Sequence, residues 1–320
     1  MLMAKKINEF VAGDELLGFY LLSSYSTGTK KDGETFFRGT ISDISGKIQF
    51  VCWQKPENYG MSENASGHVV KVKGQVSEYE GNLQLKVYNI RLATDEDKPE
   101  YNASDIVCSA PIDIEASLND VETLINSITD DDLKSVCNQV LQERKEQFIT
   151  TPAGKTVHHA FPGGLLMHTR NMMVLSDFIS KMYPATINRD LLLAGTFLHD
   201  ICKIEEFTLT DLNLVNAYSV EGQLMGHLVM ASEYVGKICH HLNIDADKKL
   251  LLQHVILAHH GEGEMGSPVT PKIAEAEALH IIDLMDSRME IYAEELSNLN
   301  VGEITPRDNW ALGHRIYKWE

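Results

Sequence analysis

Apolar and polar positions follow two different rhythms along this chain, and the change falls soon after residue 93. From 16 to 93 the period is near two. The stretches LLGFYLLSSYS, ETFFRGTISDISGKIQFVCW and HVVKVKGQVSEYEGNLQLKVYNIRLA are rich in β-branched and aromatic residues, as strands are. Val69, Lys71 and Lys73 share one strand face, and Leu83, Leu85 and Val87 share another. Turn-forming residues break the pattern at 28–33, at Ser45-Gly46 and at Glu80-Gly81-Asn82. Five strands with a longer connection around 55–67 predict a small Greek-key barrel of the OB type, the alternative being another small β-barrel or half-sandwich. From about 116 the apolar spacing becomes helical, as in Leu133, Val136, Val140 and Leu141. Helices are predicted at 116–128, 130–148, 164–182, 190–203, 221–242, 247–260 and 272–298, with a Pro/Gly loop at 149–163. The expected architecture is multidomain α and β. An OB-type barrel at 1–95 and a polar, proline-containing linker at 96–115 precede an all-α bundle at 116–300 and a tail at 301–320.

Charge sharpens this division. The net charge of −18 is unfavourable for a protein that handles nucleic acid, yet residues 1–93 balance 11 Lys+Arg against 10 Asp+Glu. The excess acid therefore lies outside that segment, and an acidic site can still take a phosphate ester where divalent metals supply positive charge locally. The five cysteines are scattered with no C-x-x-C pair, which points to reduced thiols and a cytoplasmic protein. The N-terminus lacks a secretory h-region, and no apolar run approaches the roughly 20 residues that span a bilayer, so no membrane role is expected.

Of the 13 histidines, all but His68 and His314 lie between 158 and 280. His199-Asp200 ends the apolar run LLLAGTFL, placing a charged pair where a buried helix should continue. An ionised carboxylate buried alone is costly, and a divalent metal removes the cost because carboxylate and neutral imidazole are both good ligands. A buried His–Asp hydrogen bond at a helix end is the plain alternative. The theme recurs. His168 follows GGLLM with Met172, Leu175 and Ile179 on its face, and His227 follows Gly226, read here as allowing close approach. His259-His260 closes the helix HVILA, and Asp283 sits within ALHIIDLMD. Singly, each residue reads as structural. Polar groups on five helices converge only in a bundle core, where metal sites are commonly built.

In order, His168, His199-Asp200 and Asp283 reproduce an H…HD…D pattern, and the chain resembles the HD-domain superfamily of metal-dependent phosphohydrolases. His227 and His259-His260 resemble the subset that holds two metals. The segments HHAFPGGLLMHT, LHDICKIEEF, AHHGEGEMGSP and EAEALHIIDLMDSR, joined to an N-terminal barrel, are similar to the YhaM-type 3′→5′ exoribonucleases of Gram-positive bacteria. Cys202 departs from the pattern, since glycine is commoner there. The resemblance implies removal of nucleoside 5′-monophosphates from single-stranded RNA, with single-stranded DNA as a second candidate. It implies Asp200 bridging two divalent metals, Mn²⁺ foremost and other transition metals as alternatives. His168, His199 and Asp283 would serve the first, and His227 and His259 with His260 the second. Lys203, three residues after Asp200, is the candidate to bind the scissile phosphate, its alternative being a solvated lysine. His158 and His159 are candidates to contact phosphate or the leaving oxygen, their alternative being local hydrogen bonding in the loop.

The barrel would hold the strand by stacking and positive charge, through Phe37, Arg38, Trp53, Lys71, Lys73 and Tyr79, unless the aromatics are core. The helix at 272–298 and the aromatic tail offer an interface for homo-oligomers. Two rival readings remain open: an HD enzyme of small or cyclic nucleotides, and a non-catalytic nucleic-acid-binding factor. RNA trimming separates the first, and metal content the second.

Overall fold

The computed structural model describes residues 5–30, 33–53, 65–155 and 159–320. They divide into two compact units, one within Met1–Ser109 and Leu209–Asn216, the other within Ala110–Thr208 and Ala217–Glu320.

The first unit is a closed barrel of β1 (Glu15–Thr29), β2 (Thr35–Asp43), β3 (Gly46–Cys52), β4 (Val69–Tyr79) and β5 (Asn82–Leu92). β1 pairs antiparallel with β2 and β4, β2 with β3, and β4 with β5, while parallel pairing of β3 with β5 closes the ring. Every second residue points inward, so Leu22, Phe37, Ile41, Phe50, Val70 and Leu85 fill the interior. Leu83, by contrast, stays exposed. A second apolar cluster lies apart from this interior, where Phe19 and Val69 meet Ile106. It accounts for the stretch expected as a linker. Three-ten turns at Asp95–Glu100 and Ala103–Asp105 bury Asp97 and Ile106 and bring the Tyr101 ring within 4.8 Å of that of Phe19. A strand with apolar residues on both faces needs such a cover, which Tyr101, Ile106 and Val107 help to supply.

The second unit comprises α1 (Ile114–Asn126), α2 (Asp131–Phe148), α3 (Gly164–Met182), α4 (Arg189–Leu198), α5 (Lys203–Glu206), α6 (Val220–His241), α7 (Ala246–Ala258) and α8 (Ala274–Ser297). Asp113, Asp130, Asn188, Ser219 and Asp245 cap five of the helix starts by accepting backbone N–H bonds. The apolar stripes meet in one core around Phe148, Leu165, Phe197, Val255 and Leu279. Two local features differ from the pattern-based expectation. The helix predicted at 190–203 stops at Leu198, and residues 199–202 form a turn before α5. A hairpin of β6 (Phe207–Leu209) and β7 (Val215–Tyr218), too short to show a period, precedes α6.

Two glycines shape the helices that carry the histidines. A Cβ on Gly195 would stand 2.5 Å from Val255 Cγ1, so α4 and α7 pack closely one turn before His199 and His259. Gly226 has φ 71° and bends α6, yet a Cβ there would come no closer than 3.9 Å to Glu206 Oε1, its nearest neighbour. Its purpose is the positive φ and not the close approach expected. The tail from 301 carries the bridges Ile304–Tyr317 and Asn309–His314 and buries Ile316. Among the described residues, no helix is long and apolar enough to cross a membrane.

Candidate metal centre

α4 and α7 end in the same way. Their C-cap residues, His199 and His259, each place Nδ1 against a carbonyl three residues back, Thr196 O at 2.7 Å and Ile256 O at 2.6 Å. The last turn of a helix leaves such carbonyls without amide partners. A carbonyl can only accept, so Nδ1 carries a proton, and in the neutral ring Nε2 keeps its lone pair. The negative end of each helix dipole also favours a cation beside these rings.

Carboxylates orient the next two rings. The bend at Gly226 lets the backbone N–H and Nδ1 of His227 both donate to Glu206 Oε1, at 2.9 Å each. Burial would raise the Glu206 carboxyl, but His227 outweighs it and holds the group below its ordinary range. His168 Nδ1 donates to Asp286 Oδ2 at 2.7 Å, and that oxygen also accepts from His159 Nε2 at 2.7 Å. Burial opposes charge on His168, yet Asp283 and Asp286 hold it up at about 9.

Asp200 lies between these rings and is 2% exposed. Its Oδ2 is 2.6 Å from Lys203 Nζ, 3.3 Å from His199 Nε2 and 3.6 Å from His168 Nε2. Its Oδ1 is 3.3 Å from His227 Nε2 and 3.7 Å from His259 Nε2. Burial works against the charge of Asp200, but His199 and Lys203 hold its carboxyl well below the usual range. Among the described residues, Asp200 Oδ1 and the Nε2 atoms of His199, His227 and His259 are buried without a hydrogen-bond partner. Four converging orphan acceptors are expensive unless a cation satisfies them all. The donor set, imidazole and carboxylate, suits divalent transition metals.

The ligand atoms form sets whose members lie within 4.8 Å of one another. His168, His199 and Asp283 make one, His199, Asp200 and His259 a second, and His227, His259 and His260 a third. Asp283 Oδ1 is 3.3 Å from His168 Nε2, and this contact outweighs burial to keep Asp283 ionised. Burial pushes His259 well down and His260 to about 4, so both rings are neutral and able to ligate at pH 7.

All seven expected metal residues thus come together, and Lys203 with them. Its ammonium sits on Asp200 and also lines a cavity of about 390 Å³ with Glu206, His227, His260, His280 and Asp283. His159 stands behind the candidate ligands. Its ring is 1% exposed and bonded to Asp286, so in the structure it braces the carboxylate behind His168. His158 lies outside the described residues. Cys202 is buried, which pushes its thiol well up and disfavours the reactive thiolate. Asp286 and Glu206 were missed, although Asp286 stands one turn beyond Asp283 and Glu206 one turn beyond Lys203.

The barrel residues separate sharply. Phe37 is fully buried against Phe50, ring centres 5.9 Å apart, so it is core and not a stacking surface. Lys71 is tied to Asp97 at 3.1 Å and Glu100 at 2.9 Å. Arg38, Lys73, Trp53 and Tyr79 are exposed. Arg38 and Tyr79 line a groove of about 830 Å³ with Lys47, Gln49, Asn82 and Gln84.

Known proteins share both parts. The family described as OB-fold nucleic acid binding domain matches residues 23–93, and the HD domain family matches residues 165–288. A protein of Listeria welshimeri serovar 6b named 3'-5' exoribonuclease YhaM is 35% identical over 309 residues, covering 95% of each chain. A protein of the same name from Listeria monocytogenes serotype 4b is 34% identical over 324 residues, covering 99% of this chain and all of its own.

Proposed function

Because the chain belongs to the YhaM family of 3′-5′ exoribonucleases, we propose that it removes nucleoside 5′-monophosphates from the 3′ end of single-stranded RNA in the cytoplasm, using two divalent cations. The observation that carries this reading is Asp200, whose two oxygens face two different groups of imidazole nitrogens. His168, His199 and Asp283 would hold one cation with Oδ2, and His227, His259 and His260 the other with Oδ1. The mixed imidazole and carboxylate set takes divalent transition metals, Mn²⁺ being the first to test and the others its alternatives. Bound there, divalent cations polarise a phosphoryl oxygen and lower the pKa of water.

The chain's own groups do the rest. Glu206 and Asp286 fix the rings of His227 and His168, as carboxylates behind metal-ligating histidines do. Lys203 sets a positive charge at the cavity, where it can meet the scissile phosphate. In the barrel, Arg38 and Tyr79 would hold the strand upstream by charge and stacking, with Trp53 and Lys73 as further exposed contacts.

Single-stranded RNA labelled at its 5′ end, incubated with the protein and Mn²⁺, should shorten stepwise from the 3′ end and release mononucleotides. Without divalent metal its length should stay constant. Turnover of free or cyclic nucleotides with no shortening of RNA would overturn the reading.

A further inference from the structure

Lys155, Phe207 and Tyr218 stand on the wall of the same cavity, outside the metal centre. Tyr218 is 39% exposed, and Phe207 is buried beside it with ring centres 5.3 Å apart at a 60° tilt. Lys155 Nζ lies 5.5 Å from the centre of the Tyr218 ring. The β6–β7 hairpin sets this geometry. Phe207 directly follows Glu206, and Tyr218 directly precedes Ser219, whose N–H donates to Glu206 O at 2.8 Å. The Ser219 hydroxyl donates to Glu205 O at 2.7 Å. Since Glu206 also orients His227, the aromatic wall is tied through the backbone to the residue that aims a candidate ligand.

A partly exposed ring beside a buried one, with a lysine ammonium over its face, is a surface for a flat, π-rich group joined to an anion, which can draw the flexible lysine to itself. A cavity of about 390 Å³ is at the lower end of the sizes that enclose one small ligand. We propose that Tyr218 is the stacking platform for the base of the 3′-terminal nucleotide, with Phe207 holding its ring and Lys155 adding positive charge beside it. This rests on the exoribonuclease reading. Every base has a π-face, so such a platform tolerates all four bases and senses only whether a base is present.

The test pairs two substrates with three full-length proteins in Mn²⁺. The RNAs differ only in a 3′-terminal adenosine or an abasic ribose, and the proteins are wild type, Tyr218→Ala and Tyr218→Phe. Wild type and Tyr218→Phe should lose about tenfold in kcat/KM on the abasic end, the scale of one base–aromatic stack. Tyr218→Ala should lose about tenfold on the adenosine end and become indifferent to the missing base. Equal slowing of both substrates by Tyr218→Ala, or no discrimination by wild type, would overturn the proposal. Calorimetry gives a readout apart from activity. Wild type should bind AMP about tenfold more tightly than ribose 5-phosphate, and Tyr218→Ala should lose that preference. A wild type that trims no RNA but keeps the AMP preference would sink the exoribonuclease reading and leave the stacking site standing.

Discussion

Asp97 in the barrel unit and Asp200 in the helical unit are both buried carboxylates, 4% and 2% exposed, and they are satisfied in opposite ways. Asp97 accepts from Arg91 at 2.5 and 2.8 Å, from Lys71 at 3.1 Å, and from the Thr94 amide and hydroxyl at 2.9 and 3.0 Å. Both of its oxygens are used by the chain itself. Asp200 has Lys203 on one oxygen, while the other is buried beside imidazole nitrogens with no hydrogen-bond partner among the described residues. The first arrangement is complete as folded and serves the fold. The second is complete only with a ligand, so a binding role follows from what its surroundings lack in donors.

The strongest way to break this contrast is Asp200→Ala. It should lower RNA trimming by roughly a thousandfold or more, because both proposed cations lose their shared ligand. RNA binding by the metal-free protein should change little, since the barrel groove is untouched. Trimming within tenfold of wild type, measured on labelled RNA with Mn²⁺, would remove Asp200 from the centre of the site. A smaller effect is expected one layer out. Asp286→Asn should weaken Mn²⁺ affinity by roughly 10- to 100-fold, the usual cost of losing the group behind a metal-ligating histidine. Isothermal titration of the chelator-treated protein reads this directly, and unchanged affinity would make Asp286 a fold residue like Asp97.

The same contrast explains which residues were legible in the sequence. His168, His199, Asp200, His227, His259 and Asp283 stood out because charge within an apolar helix has few structural uses. Asp286 and Glu206 did not, because acidic residues at the ends and outer faces of helices are ordinary. The early stop of α4 was hidden by Ile201 and Cys202, which are buried and prolong the apolar run across the break. In the barrel, aromatic type said nothing about orientation. Phe37 points inward, Trp53 outward, and Phe19 into a second apolar cluster that the segment 93–107 and Leu212 cover.

The smallest expected effect on chemistry comes from the barrel's carboxylate. Asp97→Asn should leave trimming by the helical unit nearly unchanged while lowering stability by about 1–3 kcal/mol, the cost of disrupting a buried, charge-assisted network. Hydrogen bonds from Arg91, then from Thr94 and Lys71, outweigh burial and hold the Asp97 carboxyl far below its ordinary range. A depressed folded-state pKa stabilises fully above the unfolded value and is lost as pH falls through the folded one. The difference between wild type and Asp97→Asn in urea unfolding should therefore be complete at pH 7 and shrink below about pH 4. Hydrogen exchange should locate the loosening in β4, β5 and 93–107 while segments around His199 and His259 keep their protection. A loss of protection around His199 and His259 as large as that in the barrel would mean the two carboxylates are not independent, and the contrast between them would fail.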